Sequence, residues 1–279
     1  MIPLHDENPT QSLAWVTIAL IVINIAVFVL IQPRADTGEG IEFSYEYAAI
    51  PCEVVEGRPL SAEEIRSTYA GDNNACQGDN PSGATVFESK RPWIAIAASM
   101  FLHGDWLHLG FNMLFLWIFG NNVEDHLGKL RYIAFYLAGG VVATLAHVAI
   151  QTSSTVPIIG ASGAIAGVMG AYLVWFPNAR VRTLLFFGLI LFLQIRAKYL
   201  LLVWLASQFL ITNNGGVAWM AHVGGFIYGV VIALAVRESM SARRVLWRTT
   251  YAGDDQGFWD TRHGGRSDNP LPPYEGPIT

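Results

Sequence analysis

The feature that most limits the fold of this chain is a series of long apolar stretches that are almost free of charged side chains. Hydrophobic residues make up 52% of the sequence and charged residues only 14%, a composition well outside that of soluble proteins. About 20 consecutive apolar residues are enough for a helix to cross the hydrocarbon core of a bilayer. The sequence therefore predicts an all-α polytopic membrane protein with one membrane domain, a loop and a tail.

The apolar stretches predict six transmembrane helices. Their ranges are 15–31, 93–120, 130–150, 157–176, 199–211 and 217–236. A further apolar run at 184–193 is too short to cross, and we expect it to lie at the membrane interface or dip into it. The organisation predicted is an N-terminus at 1–13, a membrane domain at 14–238 that includes a polar loop at 33–92, and a disordered tail at 239–279. Short helices are expected to order the polar loop.

The charged residues outside the apolar stretches predict how the bundle is oriented. With six spans, the short basic connections fall on one side of the membrane and the acidic 33–92 loop falls on the other. Because basic loops favour the cytoplasm, both termini are predicted to be cytoplasmic and the long loop extracytoplasmic, most simply in a bacterial plasma membrane. Cys52 and Cys76 both lie in this loop, and a disulfide is favoured over two free thiols if the loop is outside the cell.

Several functional classes are disfavoured by the same sequence. The net charge of −5 and the lack of basic clusters or zinc-finger spacing argue against nucleic-acid binding. There is no His-Glu-x-x-His motif and no pair of carboxylates within an apolar stretch, so no metal is expected. The glycines at 160 and 163 follow no predicted strand and do not indicate a phosphate-binding loop. No cofactor is therefore predicted.

Two of the apolar stretches each have glycines on one helical face. These are Gly163 and Gly167 in the fourth stretch and Gly225 and Gly229 in the sixth. Small residues four apart allow two helices to approach backbone to backbone in lipid. If these faces pack together, the hydroxyl of Ser162 and the imidazole of His222 can meet inside the membrane.

Each polar residue also has an ordinary structural interpretation. A serine in a membrane helix usually bonds to a backbone carbonyl, whereas an intramembrane histidine is costly to bury and more often functional. His108 and Asn112 lie four residues apart on one helical face, where they could donate hydrogen bonds to an oxyanion together with the backbone N–H of Ser162, or could simply join helices. His147 is an alternative base.

Taken together, these residues resemble the rhomboid family of intramembrane serine proteases. The resemblance rests on His-x-x-x-Asn at 108–112, Gly-x-Ser-Gly at 160–163 and Ala-His-x-x-Gly-x-x-x-Gly at 221–229, in the family's order. It implies a six-helix rhomboid bundle with a long outer loop after the first helix. Ser162 would be the nucleophile and His222 the general base, with Asn112, His108 and the Ser162 amide as the oxyanion hole. Membrane-anchored proteins would be the substrates, cleaved within or near their transmembrane segments.

Two positions differ from the pattern of some family members. Ala166 stands where an aromatic residue can pack on the histidine, and Trp93 is followed by Ile94 rather than by arginine. With no carboxylate placed to orient His222, the packing around it is expected to fix its ring. Two alternatives are an inactive rhomboid-like protein that binds transmembrane clients without cleaving them, and a channel or transporter. The second would need polar residues through the whole membrane depth, whereas here they cluster toward the outer half.

Overall fold

The computed structural model describes residues 1–78, 81–186, 190–210 and 218–251, with the backbone alone at 186 and 237–251. The chain divides into two compact units, residues 1–231 and 232–279. The described helices are α1 (Trp15–Ala26, continued by a π-helical turn at Val27–Ile31), α2 (Gly38–Tyr47), α3 (Pro51–Glu56), α4 (Ala62–Tyr69), α5 (Pro92–Ser99), α6 (Trp106–Leu127), α7 (Lys129–Ile150), α8 (Ser162–Trp175), α9 (Ala197–Gln208) and α10 (Trp219–Tyr251). The described strands are β1 (Ile2–Asp6), β2 (Arg180–Phe186) and β3 (Ile190–Arg196).

The prediction of an all-α fold is wrong in one region, because the three strands form an antiparallel sheet in the order β1-β2-β3. The apolar run 184–193 contributes to both β2 and β3, which pair from Arg180 with Arg196 to Phe186 with Ile190. A segment too short to cross a bilayer as a helix can satisfy its backbone groups by pairing with itself in a hairpin. The rest of the described chain is largely helical.

Two of the described helices are long and apolar enough to cross a membrane, α7 and the part of α10 from Trp219 to Val236. The ranges Trp15–Ile31 and Ser162–Trp175 are apolar but shorter. The predicted tail boundary at 239 lies inside α10, which continues to Tyr251. The remainder of the predicted disordered tail, 252–279, lies outside the described residues, as does the end of the predicted fifth span at 211.

The predicted span 93–120 is wrong as a single helix. It consists of α5 and α6, separated by a break at 100–105, and α6 extends beyond Gly120 to Leu127. The break ends at Asp105, whose extended backbone and carboxylate, accepting the His108 N–H at 2.8 Å, cap α6. The cap fixes where α6 begins and therefore which of its residues face α8.

The core of the first unit surrounds α8. Every residue of α8 from Gly163 to Tyr172 is buried, and α6 and α7 both pack against this helix. Because small residues dominate the first two turns of α8, its neighbours can approach its backbone closely. The fold thus holds the start of α8, where Ser162 lies, among several helices.

The segment 33–92 contains three short helices, α2 to α4, as expected for a polar stretch of this length. Cys52 and Cys76 are joined by a disulfide. Glu53 and Lys90 form a buried ion pair, with 2.5 Å between Oε2 and Nζ. Burial raises the pKa of Glu53 and lowers the pKa of Lys90, and in each case the partner's charge opposes the shift.

A second ion pair joins Glu64, at the start of α4, to Arg58 at 2.8 Å. Burial alone would raise the pKa of Glu64, but hydrogen bonds from Arg58 and from the backbone N–H groups of Ser61 and Gln77 lower it to about 2. The charged carboxylate therefore stabilises this part of the segment at neutral pH.

Candidate active site

The glycine faces predicted from the sequence pack against each other in the structure. A Cβ at Gly225 would collide with the carbonyl oxygen of Gly163, and a Cβ at Gly229 would collide with that of Gly167. The two backbones are thus in direct contact, as expected of small-residue faces. This contact sets the distance between the residues at the start of α8 and the start of α10.

Ser162 and His222 meet at this helix contact. Ser162 Oγ lies 2.8 Å from His222 Nε2, within the range in which a base can take a proton from a hydroxyl. Both side chains are half-buried. The arrangement allows the imidazole to activate the serine oxygen as a nucleophile.

His108 lies beside the same serine. The backbone N–H of Gly104 donates to His108 Nδ1 at 3.3 Å, which leaves Nε2 as the nitrogen that carries hydrogen in the neutral ring. Gly160 has a φ of 122°. A Cβ there would lie 2.8 Å from His108 Nε2 and 3.5 Å from Ser162 Oγ. Glycine is needed because it permits this backbone angle and leaves room for the histidine donor next to the serine.

Asn112 lies one turn after His108 on α6 and is only 6% exposed. Its Nδ2 has no hydrogen-bond partner among the described residues. A buried N–H donor without a partner is costly, and such exceptions are often explained by a ligand or catalytic role. The backbone N–H of Ser162, in the first turn of α8, is a further donor with no partner from earlier in its own helix.

These groups line one cavity of about 410 Å³. Ser162, His222, His108 and Asn112 all face it, together with apolar side chains from α6 and α9. A polypeptide carbonyl placed over Ser162 would therefore meet a nucleophile, a base and several N–H donors. The geometry suits acyl transfer through an oxyanion.

Two residues that the sequence analysis missed contact His222 from α9. Gln208 Oε1 lies 2.7 Å from His222 Nδ1, on the side of the ring away from Ser162. The Trp204 ring packs beside the imidazole with 5.8 Å between centroids, supplying an aromatic neighbour that Ala166 does not. A glutamine inside a predicted span needs a hydrogen-bond partner, so the sequence marks Gln208 as a polar residue with a contact but does not identify His222 as its partner.

Two other histidines, His103 and His147, have different surroundings. His103 is fully buried, and its backbone N–H and C=O both bond to the side chain of Gln32. His147, the alternative base, is buried in α7. The hydrogen bond from the Ser162 hydroxyl in the described structure goes to His222.

Comparison with known proteins gives a consistent result. The Rhomboid domain model matches residues 90–239. Rhomboid protease AarA of Providencia stuartii is 33% identical over 178 residues, covering 55% of this chain and 60% of that protein. Rhomboid protein 1, mitochondrial, of Saccharomyces cerevisiae is 29% identical over 159 residues, 54% of this chain and 44% of that protein. Rhomboid protease GluP of Bacillus subtilis is 32% identical over 146 residues, 52% of this chain and 26% of that protein.

Each of these matches covers less than two thirds of the relative's own length. The family model, in contrast, covers more than half of this chain, including α6, α8 and the start of α10, which carry the candidate site. The chain therefore belongs to the rhomboid family, whose members are integral membrane proteins.

Proposed function

We propose that this protein is an intramembrane serine endopeptidase that uses Ser162 and His222 as a catalytic dyad. The single observation that carries the proposal is the 2.8 Å contact between Ser162 Oγ and His222 Nε2, in a cavity also lined by Asn112, whose Nδ2 has no partner among the described residues. Relatives that are named rhomboid proteases support the reaction class.

In the proposed reaction, His222 Nε2 takes the proton from Ser162 Oγ as that oxygen attacks the carbonyl carbon of a peptide bond. The tetrahedral oxyanion accepts hydrogen bonds from Asn112 Nδ2, His108 Nε2 and the backbone N–H of Ser162. In comparable sites one such donor lowers the activation free energy by about 3–4 kcal/mol. His222 then gives its proton to the leaving amine, and an acyl-enzyme remains on Ser162.

Water completes the reaction. His222 removes a proton from a water molecule, which attacks the ester carbonyl, and the proton passes to Ser162 Oγ when the acyl group leaves as a carboxylic acid. The cavity is large enough to hold water next to the dyad. No metal or other cofactor is needed for these steps.

The substrates proposed are membrane-anchored proteins. A regular transmembrane helix keeps its carbonyl groups in its own hydrogen bonds, so the segment to be cut must unwind locally. Segments with glycine, proline or polar residues near the outer interface are the easiest to unwind. Cleavage is therefore proposed within or near such transmembrane segments.

The membrane arrangement that goes with this function has six spans. They are α1 with its π-helical turn, α6, α7, α8, α9 and the first part of α10. The basic connections favour cytoplasmic termini, with the 33–92 segment on the opposite side of the membrane. Relatives include bacterial and mitochondrial proteins, and a multi-pass location in a bacterial plasma membrane is the one proposed for this chain.

The test uses the purified full chain in proteoliposomes with a membrane-anchored model substrate that has a glycine-containing transmembrane segment. We expect cleavage and labelling by a fluorophosphonate probe, with both lost in Ser162→Ala and kept in the matched control Ser44→Ala. Ser44 lies in α2, and its hydroxyl bonds to the carbonyl oxygen of Gly40.

An inactive, client-binding relative gives the opposite result. It would retain transmembrane clients in a pull-down, while the well-folded wild type would neither cleave nor label. Cleavage that persists in Ser162→Ala would also refute the proposal.

A further inference from the structure

The side chain of Gln208 links the candidate base to the end of α9. Gln208 is 4% exposed and lies in the last turn of α9. Its Oε1 is 2.7 Å from His222 Nδ1, and its Nε2 donates to the carbonyl oxygen of Trp204 at 3.1 Å and to Ser207 Oγ at 3.2 Å. Every polar atom of this amide is therefore used.

The neighbours of Gln208 determine which way its amide faces. The Ser207 hydroxyl donates its hydrogen to the Trp204 carbonyl at 2.6 Å, so toward Gln208 it acts as an acceptor. Both atoms near the amide nitrogen are thus acceptors, and a carbonyl oxygen in that position would meet two lone pairs. The nitrogen must face Ser207 and Trp204, and the oxygen must face the imidazole.

An amide oxygen can only accept a hydrogen bond, so the nitrogen opposite it, His222 Nδ1, must carry a hydrogen. In a neutral imidazole the other nitrogen then has a lone pair. That other nitrogen is Nε2, which faces the Ser162 hydroxyl. This is the tautomer that a base needs in order to accept the serine proton, and the opposite tautomer would present N–H to the serine.

We propose that Gln208 is a positioning residue that sets the tautomer and ring orientation of His222 by accepting a hydrogen bond from Nδ1–H. The inference rests on the proposed function, because only a base that must accept a proton requires this tautomer. It replaces the expectation that packing alone orients the ring. Gln208 would do with a neutral acceptor what a carboxylate does in a Ser-His-Asp triad.

The test compares Gln208→Met, which removes the acceptor at similar volume, with Gln208→Glu, which keeps an acceptor. Gln194→Met serves as the matched control, since Gln194 is exposed on β3. We expect Gln208→Met to lower kcat about ten-fold with KM unchanged, the size of one net hydrogen bond that acts on the base and not on substrate binding. Gln208→Glu should recover kcat only in part, because one of its oxygens accepts from Nδ1–H while the other faces the acceptors Trp204 O and Ser207 Oγ. Gln194→Met should match the wild type.

A second measurement reads the tautomer without catalysis. Nitrogen-15 spectra of ring-labelled His222 are recorded in the Ser162→Ala background, where the partner of Nε2 is gone. With Gln208 present we expect hydrogen on Nδ1 and a bare Nε2, and with Gln208→Met a mixture of both tautomers. If Gln208→Met does not fold, Ser207→Ala replaces it, because loss of that hydroxyl frees one end of the amide and should lower kcat about three-fold.

The outcomes separate this inference from the proposed function. A wild type that neither cleaves nor labels refutes the protease, whereas the spectra still report whether Gln208 sets the tautomer. A wild type that cleaves, with unchanged kcat and unchanged spectra in Gln208→Met, overturns the role of Gln208 and leaves the dyad intact. A kcat for Gln208→Glu that is no higher than that of Gln208→Met also counts against positioning.

Discussion

The contact between the glycine faces gives the sharpest prediction, because a single methyl group should separate the dyad. Gly225 lies three residues after His222, and the backbone it touches is that of Gly163, the residue after Ser162. A Cβ at position 225 would collide with the Gly163 carbonyl oxygen and would lie 3.1 Å from its carbonyl carbon and 3.3 Å from the Ala143 Cβ. Rigid backbone meets the new methyl group, so the helices themselves must move.

The size of the effect follows from the geometry. An ordinary contact would require the two backbones to separate by about 1 Å, and a misplacement of this size costs about 10²-fold in rate. The bond from Ser162 Oγ to His222 Nε2, 2.8 Å in the structure, would stretch beyond hydrogen-bonding range if α10 moved as a unit. Gly225→Ala is therefore expected to lower kcat about 10²-fold, although alanine is the better helix former by about 1 kcal/mol.

The assay measures cleavage of a membrane-anchored model substrate in proteoliposomes and the rate of fluorophosphonate labelling. The melting temperature of each variant is measured as well, so that only variants as stable as the wild type are compared. The control is Gly110→Ala in α6, where an added Cβ meets no atom within 4 Å. It should retain full activity and gain a little stability from helix propensity. Gly225→Ala with more than half of the wild-type activity would refute the reasoning, since it would mean that close helix approach does not position the dyad.

Three further predictions concern Asn112, a proposed oxyanion donor, and the 33–92 segment. Asn112→Ala should lower kcat about 10²-fold with little change in thermal stability, because the Asn112 Nδ2 has no partner among the described residues to lose. The pKa of Glu64 is lowered from 4.5 to about 2, so its carboxylate adds about 3 kcal/mol to the free energy of unfolding. This contribution is present above pH 4.5 and is lost as the pH falls toward 2. Hydrogen-exchange protection of α4 should be lower at pH 3 than at pH 6, and Glu64→Gln should reduce that difference. Cys52 and Cys76 are 24 residues apart, and the loop-entropy model gives about 3.5 kcal/mol for a disulfide that closes such a loop. Replacing both by serine should lower the free energy of unfolding of the segment by this amount, which denaturant-dependent proteolysis can measure.

The meeting of Ser162 with His222 could be predicted from the sequence because glycine spacing carries geometric information. Small residues four apart define one face of a helix, and two such faces in apolar stretches have few other uses. The same periodicity placed His108 and Asn112 on one face of α6. These inferences depend on local helical geometry, which a sequence expresses directly.

The sheet and the break before α6 could not be predicted in the same way. The run 184–193 is uniformly apolar, so its composition fits an interfacial helix as well as a hairpin, and only pairing with β1 and with itself decides between them. Gln208 was missed for a related reason. Its partner, His222, is 14 residues away in the sequence, and their contact depends on how α9 meets α10.

The position of Ser162 depends on the chain before it as much as on the helix it begins. The loop from 151 to 161 bonds to the 33–92 segment through backbone hydrogen bonds from Ile158 N to Ala49 O at 2.7 Å, from Cys52 N to Ser154 O at 2.9 Å and from Thr155 N to Asn73 O at 2.9 Å. Gly160 N in turn bonds to Ser99 O at 2.9 Å, at the end of α5. Because Cys52 takes part in both the disulfide and one of these bonds, the order of the segment and the order of the serine loop are physically linked. The dyad is thus held on one side by glycine contacts between helices and on the other by a loop whose backbone partners lie in a disulfide-bonded segment.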